Sequence, residues 1–434
     1  MERRETSGID TRWLRLAPVV FITYSLAYLD RSNYSLGAAG GLTTSLHISS
    51  AMAGLLGGFF FAGYFVFQIP AAHYAEHRSA RSLVFWCVLA WGVFASLQGV
   101  IPWLWLLMVD RFLLGVVEAA IIPAMLVFLT HWFRHDERGR ANTFLILGNP
   151  VTVLWMSLIS GYLISWTSWR WMFVLEGVPA LVWAFVFRAV VVDTPKEADW
   201  FEGAEERELE HDLEEEQKRL PRVRGYVEAL RSWNVVVLSL QYALWSIGVY
   251  GFVFWLPTII KAASHHGIGA TGALSAVPYA GAVVAMLFVS FISDRTGARR
   301  MAVLPPLLVG AAAFYVSYLI GSGSFWWSYV ALIVAGAAMY APYGPYFAFV
   351  PEFMPQNVAG AAMALINSVG ALGGFVGTYV VGWLTGISNG AAFVFMAASQ
   401  LAAALLMLGV RVHAARARSV EEGRAHSTEQ LVTR

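Results

Sequence analysis

Long apolar segments dominate this chain and restrict it to one class of fold. Hydrophobic residues make up 58% of its 434 residues and charged residues only 13%, whereas a soluble domain carries about 25% charged residues. A helix needs about 20 apolar residues to cross the hydrocarbon core of a bilayer. We therefore predict an all-α membrane protein with twelve transmembrane helices in two halves of six. The predicted helices cover residues 16–38, 51–72, 82–100, 103–130, 142–165, 170–191, 234–260, 270–292, 301–321, 326–350, 358–385 and 389–411.

A charged stretch separates the first six segments from the last six. Residues 193–231 hold 20 of the 57 Lys, Arg, Asp and Glu side chains. Glu and Arg recur there at a spacing of four, which predicts a solvated surface helix in its middle. We predict an N-terminal six-helix bundle (1–192), a cytoplasmic linker (193–232), a C-terminal six-helix bundle (233–412) and a cytoplasmic tail (413–434).

Basic residues in the short loops predict the orientation of the chain. The loops after odd-numbered segments carry almost no Lys or Arg, with Arg170 and Lys261 as exceptions, and those after even-numbered segments are mostly basic. Basic loops stay in the cytoplasm, so both termini should be cytoplasmic in a multi-pass protein of a bacterial inner membrane. The charged N-terminus leads into a full-length segment, and we expect no cleaved signal peptide.

Several function classes are excluded by what the sequence lacks. A net charge of +1 provides no basic surface for nucleic acid, and the single cysteine, Cys87, forms no disulfide within the chain. The histidines follow no metal-binding motif, and no phosphate-binding loop indicates ATP. We expect no enzymatic activity, no metal and no cofactor other than a coupling proton. Twelve helices suffice for a monomer in the lipid bilayer.

Two apolar segments contain charged residues at membrane depth. Asp30 and Arg31 lie in the first segment, and Arg111 and Glu118 lie in the fourth. A charge at the bilayer centre costs roughly 2.5–3.5 kcal/mol on insertion scales. A chain that keeps both signs at this depth is predicted to bind an ion or to move a proton.

The spacing of these charges indicates what each can do. Asp30 and Arg31 point about 100° apart around a helix, so they need not neutralise each other, whereas Arg111 and Glu118 share one face. Burial favours the neutral form of Glu118 and a nearby arginine favours its carboxylate, so this group can gain and lose a proton. The guanidinium of Arg31 offers two parallel donors to a substrate carboxylate. The alternative is that these ion pairs only hold helices together.

A charged loop motif occurs at the same place in each half, after the second and the eighth segments. The sequences are EHRSAR and DRTGARR, and such duplication is common in secondary transporters. We expect these loops to lock the cytoplasmic side, although a plain basic anchor is the alternative. The predicted gating residues are Glu76, Arg81, Asp294, Arg295 and Arg299.

Together these motifs resemble the major facilitator superfamily and, more narrowly, its anion:cation symporter family. Within that family the chain is most similar to sugar-acid symporters of the L-galactonate type. One departure is Thr378, where the family often has proline. The matching stretches are residues 28–33, 63–70, 111–119, 169–177 and 364–375.

The resemblance implies roles for the buried charges. Glu118 is expected to be the main proton carrier with Asp30 as its partner, and Arg31 is expected to bind the substrate carboxylate. Glu176 is expected to be structural. Asp110, beside Arg111, should either be solvated and silent or tether that arginine. Polar side chains facing a central cavity should complete the substrate site: Arg111, Tyr28, Tyr64, Asn149, Gln241, Asn367 and Ser368.

The sequence thus predicts a proton-coupled symporter that imports a small hydroxylated organic anion by alternating access. The resemblance favours a hexonate such as galactonate. Other anions remain open, among them tartrate, a phthalate-like aromatic acid and an organic phosphate, although the second half offers no buried cation for a phosphate. A membrane sensor that keeps the fold without transporting is a further alternative.

Overall fold

Helices run through nearly all of the chain in this computed structural model, which describes residues 11–201, 203–219, 233–349 and 356–410. Helices α1 to α8 precede residue 220, and α9 to α15 follow residue 232. Their bounds are α1 Thr11–Gly37, α2 Ser50–His77, α3 Ala80–Leu97, α4 Leu104–Glu118, α5 Ile121–Trp132, α6 His135–Trp166, α7 Trp169–Val190, α8 Ala204–Arg219, α9 Trp233–Ser264, α10 Ile268–Thr296, α11 Arg299–Ile320, α12 Phe325–Tyr340, α13 Tyr343–Phe349, α14 Gln356–Ile387 and α15 Asn389–Met407.

Twelve membrane helices account for this pattern, as predicted. Among the described residues, eleven segments are long and apolar enough to cross a bilayer, with α4–α5 and α12–α13 each forming one segment. The twelfth is α1, whose 27 residues include Arg12, Arg15, Asp30 and Arg31. Those four charges lower its mean hydropathy, but at 1.5 Å per residue the helix is long enough to span the hydrocarbon core.

Two of the membrane segments are interrupted near their middle by proline. The fourth segment breaks at residues 119 and 120, just before Pro123, and the tenth breaks at 341 and 342, just before Pro345. Proline lacks an N–H group, and its ring collides with the carbonyl four residues earlier. The first break leaves Glu118 as the last residue of α4.

Helices from the two halves pack closely at one end of the bundle. We call the helix ends away from residues 193–232 the far face. There α2 packs along α14, and α6 along α10. A Cβ atom on Gly54 of α2 would lie 2.5 Å from the Thr378 carbonyl oxygen of α14, and one on Gly272 of α10 would lie 2.3 Å from that of Ser157. Small residues permit this approach of membrane helices.

Two side-chain contacts also join the halves at the far face. The Lys261 ammonium of α9 donates to the Ala39 carbonyl just after α1 at 2.6 Å. The rings of Tyr34 and Phe254 lie 5.6 Å apart. The far face is therefore closed by backbone contact, a charged hydrogen bond and aromatic packing.

Thr378, the departure from the family pattern, leaves α14 continuous. Its hydroxyl donates to the carbonyl oxygens of Gly374 at 3.0 Å and Phe375 at 3.1 Å. The Trp255 indole donates to the Thr378 carbonyl at 3.0 Å. A threonine that bonds back to the preceding turn can bend a helix without removing a backbone donor.

The linker forms a helix, as predicted, but one face of it is packed. In α8 the side chain of Leu209 is buried, and Arg134 contacts Glu208 at 3.3 Å and Asp212 at 2.9 Å. The nearby Trp200 ring stacks on a tryptophan at the end of α5, with centroids 5.1 Å apart. The linker helix is thus docked on the N-terminal group of helices by the buried Leu209, the contacts of Arg134 and the ring of Trp200 just before the helix.

Candidate substrate and proton site

An ion pair joins the first and fourth membrane segments at the centre of the N-terminal group. The Arg31 Nη2 atom of α1 lies 3.0 Å from Glu118 Oε2 at the end of α4, and their side chains are 6% and 0% exposed. The seven-residue spacing places Arg111 on the same face of the helix as Glu118, but the hydrogen-bonded partner of Glu118 is Arg31. The structure therefore brings the predicted substrate arginine into direct contact with the predicted proton carrier.

Aromatic rings surround the Arg31 guanidinium. Its central carbon lies 5.1 Å from the Tyr28 ring centroid, 5.2 Å from that of Phe60 and 4.8 Å from that of Tyr64. Such rings attract a cation through their π faces and keep water away from it. An attraction between Arg31 and an anion is stronger in such surroundings than in water.

Asp30 faces a different helix from Arg31, as their 100° separation predicts. Its Oδ2 atom accepts a hydrogen bond from the Trp91 indole of α3 at 2.5 Å. The other carboxylate oxygen, Oδ1, makes no hydrogen bond to any described residue. Asp30 is thus a buried acid whose hydrogen-bonding partner is neutral.

Arg111 lies close to the same turn of α1. Its Nη1 atom donates to the Asp30 carbonyl at 3.5 Å and to the Gln98 side chain at 3.3 Å, and its guanidinium lies 4.6 Å from the Tyr34 ring centroid. The neighbouring Asp110 is 4% exposed. Asp110 is therefore buried and not solvated, although its side chain points about 100° away from that of Arg111 around α4.

Most of the predicted substrate residues carry buried polar atoms that have no hydrogen-bonding partner among the described residues. An unsatisfied buried donor or acceptor costs about 1–3 kcal/mol, so such atoms indicate contacts with water or a ligand. Asn367 is half-buried, and the Ser368 hydroxyl donates to the Phe65 carbonyl at 3.2 Å. Of the predicted substrate residues, those with buried side-chain atoms that lack a partner among the described residues are Tyr28, Tyr64, Asn149, Gln241, Arg31 and Arg111.

The first charged loop bonds to the last membrane helix of its own half. Arg81 donates to the Arg188 carbonyl at the end of α7, at 2.5 Å, and its backbone N–H donates to Asp193 Oδ1 at 2.7 Å. Asp193 also accepts a hydrogen bond from the Ser79 hydroxyl. The side chain of Glu76 lies outside the described residues.

The second loop repeats this arrangement in the C-terminal group. Asp294 pairs with Arg299, and Arg300 donates to the Leu408 carbonyl just after α15 at 3.1 Å. Arg295 is exposed. In both halves, therefore, an arginine of the loop binds the end of the sixth helix of that half, and the gating role of the loops stays a prediction.

Sequence reasoning missed several residues that complete the buried network. Trp91 and Gln98 lie in apolar segments, where neither residue type signals a role. Asn33 and Ser160 both contact Glu176, at 3.0 Å and 2.5 Å. These contacts join α1, α6 and α7, and the structural role of that acid stays a prediction.

Comparison with known proteins identifies the family. The model of the Major Facilitator Superfamily matches residues 20–378. A putative tartrate transporter of Agrobacterium vitis is 31% identical over 420 residues, which cover 93% of this chain and 92% of that protein. A quinolone resistance transporter of Acinetobacter baumannii is 28% identical and covers 88% of this chain and 89% of its own length.

A solved structure shares the fold at low sequence identity. The inward open conformation of the xylose transporter XylE from E. coli superposes with a TM-score of 0.72 at 14% identity, covering 92% of this chain and 96% of that one. The family match, the relative above 30% identity and the twelve helices all agree. This chain therefore belongs to the Major Facilitator Superfamily and is a multi-pass membrane transporter, not an enzyme.

Proposed function

We propose that this protein is a proton-coupled symporter that imports a small hydroxylated carboxylate by alternating access. The observation that carries the proposal is the buried contact between Arg31 and Glu118. A basic group suited to a carboxylate and an acid able to hold a proton share one hydrogen bond, so occupancy of either can change the other.

The site has the chemistry to bind an organic anion. An arginine presents a planar fork that matches a carboxylate, and the rings around Arg31 leave it few competing partners. The resemblance to a putative tartrate transporter supports a hydroxylated carboxylate as cargo. Amide and phenol groups such as those of Gln241, Tyr28 and Tyr64 supply both donors and acceptors for its hydroxyl groups.

Proton coupling follows from competition for Arg31. When Glu118 is ionised, its own carboxylate binds the Arg31 guanidinium. A proton on Glu118 removes that charge and leaves Arg31 available to the substrate carboxylate. Asp30 then serves as a second proton site beside Arg31. This is a coupling free energy between the proton and the anion, and it acts in both directions.

Two cargo classes fit the site, and each has a specific support. The similarity of the matched motifs to sugar-acid symporters favours a hexonate such as galactonate. The 31% identity to a putative tartrate transporter favours a shorter dicarboxylate. The two arginines of the site, Arg31 and Arg111, both lie in the N-terminal group, so a second carboxylate would have to bind beside the first.

The test is uptake into proteoliposomes that contain the purified protein and carry an inwardly directed proton gradient. Radiolabelled galactonate, tartrate, glucarate and phthalate are compared with and without a protonophore. We expect accumulation of at least one hydroxylated carboxylate that the protonophore abolishes. If no carboxylate accumulates under the gradient, the proposed function is wrong and a sensor role is favoured.

The same proposal includes the location of the protein and its orientation in the membrane. We place it as a monomer in the inner membrane of a bacterium with both termini in the cytoplasm, which makes the far face extracellular. Labelling of a terminal tag in intact and in broken cells tests this orientation. A tag that is accessible in intact cells would reverse it.

A further inference from the structure

One buried acid of the N-terminal group has no part in the proposed transport steps. Glu176 of α7 is 6% exposed. Its Oε2 atom accepts from Asn33 Nδ2 of α1 at 3.0 Å, and its Oε1 atom lies 2.5 Å from the Ser160 hydroxyl of α6. The next residue, Gly177, presses α7 against α3, since a Cβ there would lie 2.3 Å from Ser96 Oγ. Glu176 is therefore fixed where three helices meet.

The partners of Glu176 are neutral, and the two arginines of the substrate site are engaged elsewhere. Arg31 bonds to Glu118 and Arg111 bonds to Gln98. An ionised carboxylate that is buried without a cation is costly, and in practice such a group takes up a proton. The protonated acid keeps both observed contacts, because a hydroxyl such as that of Ser160 can accept as well as donate.

The helices that pack on α7 bring few charges toward this acid. From α1 come Asp30 and Arg31, three and two residues before Asn33. The helix α3 carries one charged residue, Arg81, which bonds to α7 at the linker end. In α6 no charged residue follows Arg140, and the short segment 38–42 contains no charged residue. The charged groups of α1 nearest to Glu176 are thus Asp30, which is a second acid, and Arg31, which is already paired with Glu118.

We infer that Glu176 keeps its proton throughout the transport cycle and acts as a positioning residue for the substrate site. Through Asn33 it holds the turn of α1 that carries Asp30 and Arg31, since three to four residues make one helical turn. This inference rests on the proposed function for its consequence on transport, but not for the protonation of Glu176.

The first measurement is independent of any substrate. The infrared spectrum of the reconstituted protein is recorded between pH 5 and pH 9 for the wild type and for Glu176→Gln. We expect the difference spectrum to contain a carboxylic-acid carbonyl band of constant intensity across this range. A carboxylate band in its place, or an acid band that disappears as the pH rises, overturns the inference.

The second measurement separates positioning from proton transport. An amide copies the neutral acid, with one donor and one acceptor group, so Glu176→Gln should transport within about twofold of wild type at every pH. Glu176→Leu removes both hydrogen bonds and should raise the substrate KM at least tenfold, with a smaller change in kcat. A Gln variant that exchanges substrate but no longer accumulates it would make Glu176 a proton carrier and overturn the inference.

The two proposals fail in different ways. If the wild type accumulates no carboxylate, the proposed function is wrong, and the infrared spectra still decide whether Glu176 is protonated. If the wild type transports and Glu176→Leu keeps the wild-type KM, the positioning role is wrong. If Glu176→Leu does not fold, the spectra and the Gln variant still decide the protonation state and the carrier role.

Discussion

Arg31 and Glu118 form a 3.0 Å ion pair between α1 and the broken end of α4, with the Glu118 side chain fully buried. The break at residues 119 and 120 ends α4 at this acid, so its carboxylate lies at the carboxyl end of a helix, where the macrodipole disfavours negative charge. Arg31 offsets that unfavourable placement. In the proposed mechanism, a substrate that takes Arg31 has to be matched by neutralisation of Glu118.

Substitution of Glu118 by glutamine should uncouple transport from the proton. Glutamine keeps the size of the side chain but carries no charge and has no titratable proton. We expect Glu118→Gln to reduce gradient-driven accumulation at least tenfold while substrate exchange between the two sides of the membrane stays within about threefold. Counterflow and gradient-driven uptake in the same proteoliposomes measure the two activities.

The matched control is Glu197→Gln, which changes an exposed glutamate of the linker. It should leave both activities unchanged. Full accumulation by Glu118→Gln would show that the proton is carried elsewhere.

The helices and the depth of the buried charges follow from the sequence, because bilayer thickness sets segment length. The identity of the ion-pair partner of Glu118 does not follow from the sequence. Seven-residue spacing relates Glu118 to Arg111 on one helix, but the contact to Arg31 depends on how α1 and α4 are rotated against each other. Side-chain packing sets that rotation, and the rotation cannot be predicted from a single sequence.

Residues that act through hydrogen bonds between distant parts of the chain are equally hidden. Trp91, which binds Asp30, resembles any aromatic residue in an apolar segment. Lys261 was visible only as an exception to the charge pattern of the loops, although it bonds across the two halves at the far face. Long-range pairs of this kind become apparent only when the helices are placed.

Loss of the Lys261 ammonium should favour opening of the far face. Lys261→Met keeps most of the apolar stem but removes the hydrogen bond to the Ala39 carbonyl. We assign about 1 kcal/mol to this hydrogen bond of a half-buried charge, below the 1.5–3 kcal/mol of buried charged hydrogen bonds. Its loss corresponds to about a fivefold increase in the population with an open far face. Spin labels on Thr167→Cys and His266→Cys, with Cys87→Ser, report the separation of the halves by pulsed electron resonance.

The long-distance population should rise about fivefold in Lys261→Met. Lys261→Arg keeps a charged donor and should resemble the wild type. An unchanged distance distribution in the methionine variant would mean that helix packing alone closes the far face.

Close helix packing between the halves predicts a second way to open this face. In Gly54→Ala the added Cβ would lie 2.5 Å from the Thr378 carbonyl oxygen, so α2 and α14 must separate. Overpacking costs about 1–3 kcal/mol, and the same spin labels should show about a tenfold larger open population. Transport that requires closure of the far face should slow accordingly.

Gly386→Ala is the matched control on α14, since no atom lies within 4 Å of its added Cβ. A third variant, Gly115→Ala, places Cβ 1.9 Å from the Phe60 carbonyl oxygen inside the N-terminal group. It should lower the melting temperature without changing the label distance. Equal opening in Gly54→Ala and Gly386→Ala would contradict the packing argument.

The docked linker helix should be released by reversing the charge of Arg134. This arginine contacts Glu208 and Asp212 on successive turns of α8. Each exposed ion pair contributes about 0.2–1 kcal/mol, so Arg134→Glu should raise amide hydrogen exchange over residues 204–219 severalfold. The triple variant Arg134→Glu, Glu208→Arg, Asp212→Arg restores both pairs and should restore protection.

Salt provides an independent check on the same contact. Exposed charges are screened over about 10 Å at 0.1 M and about 3 Å at 1 M ionic strength, so high salt should raise exchange over 204–219 in the wild type but add little in Arg134→Glu. The stacked ring of Trp200 should keep part of the docking in both proteins, because aromatic packing does not weaken with salt as ion pairs do. If exchange in the wild type does not respond to salt, the aromatic contacts rather than Arg134 hold the helix in place.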